Sequence, residues 1–252
     1  MRIARIGAAL AVAVLAATAA MTGTADASHS WGGYHWARTS NPFTLAVGDN
    51  VGTAWDSYLR TANSQWSQST VLNLTTVTGG TTGKLCKATS GRVEVCNAAY
   101  GRNGWLGLAT ISITGGTHIT QGTVKLNDTY FAMAQYNNPN ERAHVVCQEV
   151  GHTFGLGHTS EDGSTQNTCM DYSTSPTSTA PNAHDYAQLE SIYSHLDSTT
   201  TVGTFSAQSP RTGDSRASWG TEVHRSANGA HSTFVRNFGH GNYVVTEVSW
   251  AN

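Results

Sequence analysis

The sequence predicts an α/β protein of the α+β kind, a mixed and mostly parallel twisted sheet of about four or five strands with helices packed on it and a small C-terminal β extension. Three observations carry this. Four β-prone runs follow one another between residues 71 and 126, apolar residues recur at helical spacing before them, and a well-capped helical pattern opens at Asn138 after them.

In chain order, residues 1–27 read as a secretory signal: Arg2 and Arg5 supply the positive start, a small and apolar run follows, and Ala25-Asp26-Ala27 is a cleavage site. The mature chain is expected to begin at Ser28 outside the cell. No later stretch has the apolar length of a membrane span. Over residues 49–67, Val51, Trp55, Tyr58, Leu59, Ala62 and Trp66 share one helical face, with Asp49 and Asn50 as candidate caps. Residues 71–77, 93–98, 105–113 and 119–126 are the strands, separated by Gly, Ser, Thr and Asn. Asn138, Pro139 and Glu141 form a capping pattern for a second helix running to Phe154 and stopping at Gly155. A third helix is expected over 182–196, and residues 198–252 read as a linker followed by a hairpin turning at Gly239-His240-Gly241-Asn242. The expected division is therefore 1–27, 28–197 and 198–252.

The chain has 14 Lys and Arg against 16 Asp and Glu, a net charge of -2, so it offers no basic face for a phosphate backbone and nucleic-acid binding is set aside. Its four cysteines, Cys86, Cys96, Cys147 and Cys169, form no C-x-x-C pair. In an exported chain they fit two disulfides better than metal ligation, with three pairings open.

The chemistry is concentrated in Cys147-Gln148-Glu149-Val150-Gly151-His152-Thr153-Phe154-Gly155-Leu156-Gly157-His158. On a helix, Gln148 and His152 lie one turn apart on one face, with Glu149 beside them. Gly155 can take a positive φ, end the helix and return His158 to the same point. Two imidazoles with a neighbouring carboxylate suit a zinc hydrolase, in which the metal acidifies a water and the carboxylate takes its proton.

These residues resemble the metzincin clan of zinc endopeptidases, whose signature is H-E-x-x-H-x-x-G-x-x-H followed by a methionine-containing turn. Glu149, His152, Gly155 and His158 match it, and Cys169-Met170-Asp171-Tyr172 is similar to the Met-turn. Residues 124–128 resemble the matrixin strand before the active-site helix, and Leu106-Gly107-Leu108-Ala109 resembles the edge strand over the substrate cleft. The resemblance implies zinc held by His152, His158 and the residue at 148, with Glu149 as general base, Met170 as the floor and Tyr172 near the metal as an oxyanion donor. It also makes Cys86–Cys96 and Cys147–Cys169 the expected pairing, the second fixing the Met-turn against the helix.

Gln148 departs from the signature, because an amide oxygen is a weaker donor than imidazole. Three readings stay open: the amide completes a weakened zinc site, Tyr172 fills the place, or the site is silent. His144 lies two turns from His152, too far to share its metal, and is expected to satisfy a core hydrogen bond or line the cleft. His118, His184 and His195 are read as satisfied or exposed histidines, and His224, His231 and His240 as part of a solvated polar face with Arg225 and Arg236. The expectation is a secreted, monomeric zinc endopeptidase acting on protein or peptide. The rival is a silent binding module that holds an extended peptide or cell-surface polymer along the edge strand.

Overall fold

The strands of the described residues join one nine-stranded sheet, and helical spacing places two long helices on its inner face. The structure is a computed structural model and describes residues 29–203, 210–213 and 215–251. The leader lies outside the described residues. Along the chain run β1 (His35–Trp36), β2 (Phe43–Asn50), α1 (Thr53–Trp66), β3 (Leu72–Thr78), β4 (Val93–Ala98), β5 (Trp105–Thr114) and β6 (His118–Asn127). There follow α2 (Asp128–Phe131), α3 (Pro139–His152), α4 (Ala183–Ile192), a short 3₁₀ turn (Arg216–Ser218), β7 (Thr221–Arg225), β8 (His231–Gly239) and β9 (Asn242–Trp250).

The sheet order is β3-β2-β4-β6-β5-β9-β8-β7, with β1 paired to β6. Strands β2, β3, β4 and β6 run parallel, whereas β5 and the three C-terminal strands are antiparallel to their neighbours. The fold is thus α+β with a mixed sheet, and the four strands expected between residues 71 and 126 are all present. The sequence reading misses β2, whose Phe43, Leu45 and Val47 point inward but whose Gly48-Asp49-Asn50 end reads as a turn. Asp49 and Asn50 accordingly belong to that strand and not to a helix cap. Helix α1 opens at Gly52 without a side-chain cap, while Asp49 Oδ1 accepts from Val51 N at 3.1 Å.

Helix α3 begins as its residues dictate, with Pro139 in the first turn and Asn138 Oδ1 accepting from Glu141 N at 2.8 Å. Its apolar face (Val145, Val146, Cys147, Val150) packs with Trp55, Leu59 and Trp66 of α1 and with Ile111, Ile113 and Val124 of the sheet. Trp66 Nε1 of α1 donates to the Cys147 carbonyl at 3.0 Å, so this large buried side chain also carries a satisfied polar atom. The disulfides are Cys86–Cys96 and Cys147–Cys169, the expected pairing.

The C-terminal strands change the sheet most. Strand β9 pairs with β5 from Trp105↔Trp250 to Ile113↔Tyr243, so the strand expected at an edge lies inside the sheet. The sequence cannot register this, because a strand's neighbours are set by long-range pairing and not by its own alternation. On the outer face, Trp105 and Leu108 of β5 are covered by Trp219, Phe234 and Val248, which form a second, smaller core. Removing residues after Thr201 would strip that cover and leave β5 with an unpaired apolar edge. The truncated chain is expected to be insoluble, and Phe234→Ala is expected to lower the stability of the full chain by ~3–5 kcal/mol in denaturant unfolding. A soluble, monodisperse truncation product would contradict this account of the sheet.

Candidate metal centre

Gln148, Glu149 and His152 lie on one stretch of α3 and are all buried. The helix ends at Thr153, and Gly155 takes φ +93°, as its position in the sequence requires. A Cβ there would lie 1.8 Å from the Tyr34 carbonyl oxygen, so glycine alone lets the chain turn back. The turn brings the His158 ring to 4.5 Å from that of His152, centroid to centroid. His152 Nδ1 donates to the Leu156 carbonyl at 2.8 Å, which leaves Nε2 as the ring's bare acceptor.

Strand β9 contributes the remaining groups. Alternation puts Val245, Glu247 and Ser249 on the face toward α3, opposite Val248. Glu247 Oε2 accepts from Thr233 Oγ1 at 2.6 Å, and Oε1 lies 3.9 Å from His158 Nδ1. One ligand atom each from His152, His158 and Glu247 lies within 4.8 Å of the other two. Ser249 Oγ is 2.5 Å from Glu149 Oε1 and 3.1 Å from Gln148 Oε1. Glu149 can approach β5 this closely because position 107 is glycine, where a Cβ would lie 2.6 Å from Glu149 Oε1. Gln148 Nε2 donates to the Asp171 carbonyl at 2.9 Å, so both ends of the amide are engaged by protein groups.

At this site four buried atoms find no hydrogen-bond partner: His152 Nε2, His158 Nε2, Glu247 Oε1 and Glu149 Oε2. Buried polar atoms are rarely left so, since each forfeits its solvation without return. A divalent cation with a water on it would satisfy all four, and the donor set of two imidazoles and a carboxylate suits zinc. Burial drives each group toward its neutral form. It lowers His152 to about 4 and His158 well below the usual histidine value, and it raises Glu149 to about 8 and Glu247 well above the usual carboxylate range. Neutral imidazoles are the form that ligates, and a cation here would return the carboxylates to their charged form.

Below the helix, Met170 is fully buried, and a Cβ on Gly151 would lie 2.7 Å from its sulfur. The turn that carries it is held by the Cys147–Cys169 bond and by Asp171, whose Oδ2 accepts from Gln166 N at 2.7 Å and Ser178 Oγ at 2.9 Å. Tyr172 Oη lies 2.8 Å from His158 Nδ1, and its ring stacks on His231 at 4.1 Å. His144 Nδ1 donates to the Ser178 carbonyl at 2.6 Å, a buried contact of the kind expected of it.

The motif leads to Gln148, Glu149, His152, His158, Met170 and Tyr172, and the structure gathers these around α3. It does not lead to Glu247, Ser249 or His231. His231 is buried against Tyr172, which corrects its assignment to a solvated face. A signal for Glu247 does exist, since it alternates with Val245 on the inward face of an apolar strand, where an unpaired carboxylate is costly.

No protein-family model matches the chain, and no curated protein matches it. Among solved structures the chain is similar to high choriolytic enzyme 1, a hatching-enzyme zinc protease from Oryzias latipes, at 11% identity and a TM-score of 0.36, over 64% of this chain and 94% of that one. It is also similar to two structures of myroilysin at 15% identity, with TM-scores of 0.35 and 0.33, over 62% and 67% of this chain and 82% and 87% of those.

Proposed function

We propose that the chain is an exported zinc-dependent endopeptidase whose metal is held by His152, His158 and Glu247. The observation that carries this reading is the group of four partnerless buried atoms on His152, His158, Glu247 and Glu149. Bound zinc would acidify its water and polarise the scissile carbonyl. Glu149 Oε2 takes the proton of that water and returns it to the leaving amine, while Ser249 holds Oε1 and so fixes the carboxylate's orientation. Tyr172 Oη is the donor nearest the histidines and serves the carbonyl oxygen of a bound peptide. Gln148 acts as a spacer that ties α3 to the Met-turn through Asp171, and Glu247 takes the third ligand's place.

The same hairpin shapes substrate access. With β9 along β5, an extended peptide has no strand edge there to pair with. Two cavities flank the hairpin instead: one of about 360 Å³ beside Trp31, His158 and Glu247, and one of about 320 Å³ beside Gln148, Tyr172 and His231. Substrate enters from these two sides. The rival reading, a silent module gripping a peptide along the edge strand, needs the edge that β9 occupies.

Two predictions test this reading. Glu149→Ala is expected to reduce casein digestion by ~10²- to 10⁴-fold while zinc content per chain stays that of the parent. Unchanged digestion would assign the activity elsewhere. Glu247→Gln is expected to weaken zinc binding at this site by about 100-fold in a competition titration with a chelating indicator, and Gln148→Ala by less than about tenfold. The reverse ranking would return the third place to Gln148.

A further inference from the structure

Apart from the α3 centre, three histidines converge on one carboxylate. His35 on β1 and His118 at the start of β6 are register partners, and His195 and Asp197 follow α4. Asp197 Oδ1 lies 3.2 Å from His118 Nε2, 3.6 Å from His35 Nε2 and 3.7 Å from His195 Nε2, and the Nε2 atoms of His195 and His35 are 3.2 Å apart. Zinc–nitrogen bonds of ~2.0–2.1 Å in a tetrahedron place neighbouring donors about 3.3 Å apart; one ligand atom each of His35, His118 and Asp197 lies within 4.8 Å of the other two, and His195 approaches this group through His35 and Asp197.

Ring orientation agrees. The His35 ring stands at 82° to His118 and 90° to His195, so the in-plane lone pairs converge instead of running side by side. The group formed by His29, His184 and Asp185 differs on this point, since the His29 and His184 rings stack at 16°. The outward atoms of the two least exposed donors are already held. His35 Nδ1 donates to the Gly33 carbonyl at 2.9 Å, which turns the bare Nε2 toward the cluster. Asp197 Oδ2 accepts from Arg38 Nη1 at 2.9 Å and from Arg38 N at 3.2 Å, which leaves Oδ1 to the histidines.

We infer that His35, His118, His195 and Asp197 form a structural zinc site, separate from the α3 centre and independent of its chemistry. With His195 as the fourth donor the coordination shell would close, and none of the four residues lines the two cavities beside α3, so the role of the site is to clamp the chain. The site would join the N-terminal strand β1, the sheet strand β6 and the segment leaving α4, three parts distant in sequence.

The test is zinc stoichiometry by atomic emission on the full chain, loaded with zinc chloride and desalted. The parent is expected to hold two equivalents, and the protein carrying His118→Gln and His195→Gln one. Both positions are partly or fully exposed, so this variant should keep its fold. A second protein, His152→Ala with His158→Ala, is expected to retain one equivalent and to melt about 5 °C higher with zinc than without, both effects vanishing when His118→Gln and His195→Gln are added. If the His118→Gln, His195→Gln protein takes up as much zinc as the parent, the inference is overturned. A His152→Ala, His158→Ala protein that retains no zinc would overturn it equally, whereas a parent with one equivalent that this variant keeps would support the clamp and count against the α3 centre.

Discussion

The pairing of β9 with β5 is the constraint on which the site depends. Strand β5 passes over α3 closely enough that Gly107 has no room for a Cβ, and β9 then brings the next inward-facing side chains, Glu247 and Ser249, to the same place. Without that strand, α3 and the turn after it would bring together only His152, His158, Glu149 and the Gln148 amide. The hairpin therefore supplies part of the centre as well as part of the core.

Packing and electrostatics pull against each other here. Enclosing Glu149, Glu247, His152 and His158 beneath the sheet raises both carboxyls and lowers both imidazoles, which is unfavourable for a site that must carry charge. Fixed hydrogen bonds limit the cost: Thr233 to Glu247, Ser249 to Glu149, and His152 to the Leu156 carbonyl. Each leaves one atom of its partner free, and those free atoms are the ones that point to a common ligand. The surrounding apolar core and the Cys147–Cys169 bond keep the helix and the Met-turn from relaxing to satisfy them.

Much of this was legible in the sequence where the signal is local. The capping residues Asn138 and Pro139 place α3, the glycine at 155 places the turn, and i, i+4 spacing places position 148 relative to His152. Alternation places four strands but cannot assign their neighbours, so β5 was expected at an edge. Non-local placement was the general failure. Glu247 lies 89 residues beyond His158 in number, and only the register of β9 on β5 brings them together. His118 and His195 likewise read as separate histidines, and His35 is not singled out, until β1 pairs with β6 and the chain returns after α4. Asp49 and Asn50 illustrate the opposite error, where turn-forming residues end a strand instead of capping a helix.

The central claim is that a carboxylate from the C-terminal strand completes a centre begun by two helix-and-turn histidines. Anomalous diffraction at the zinc edge from crystals of the zinc-loaded protein tests it most directly. The account predicts a peak within ~2.0–2.2 Å of one nitrogen each of His152 and His158 and of Glu247 Oε1, with the Gln148 amide still bonded to Asp171 and Ser249. A peak ligated by Gln148 with Glu247 remote from it, or no peak beside α3 at all, would contradict the account.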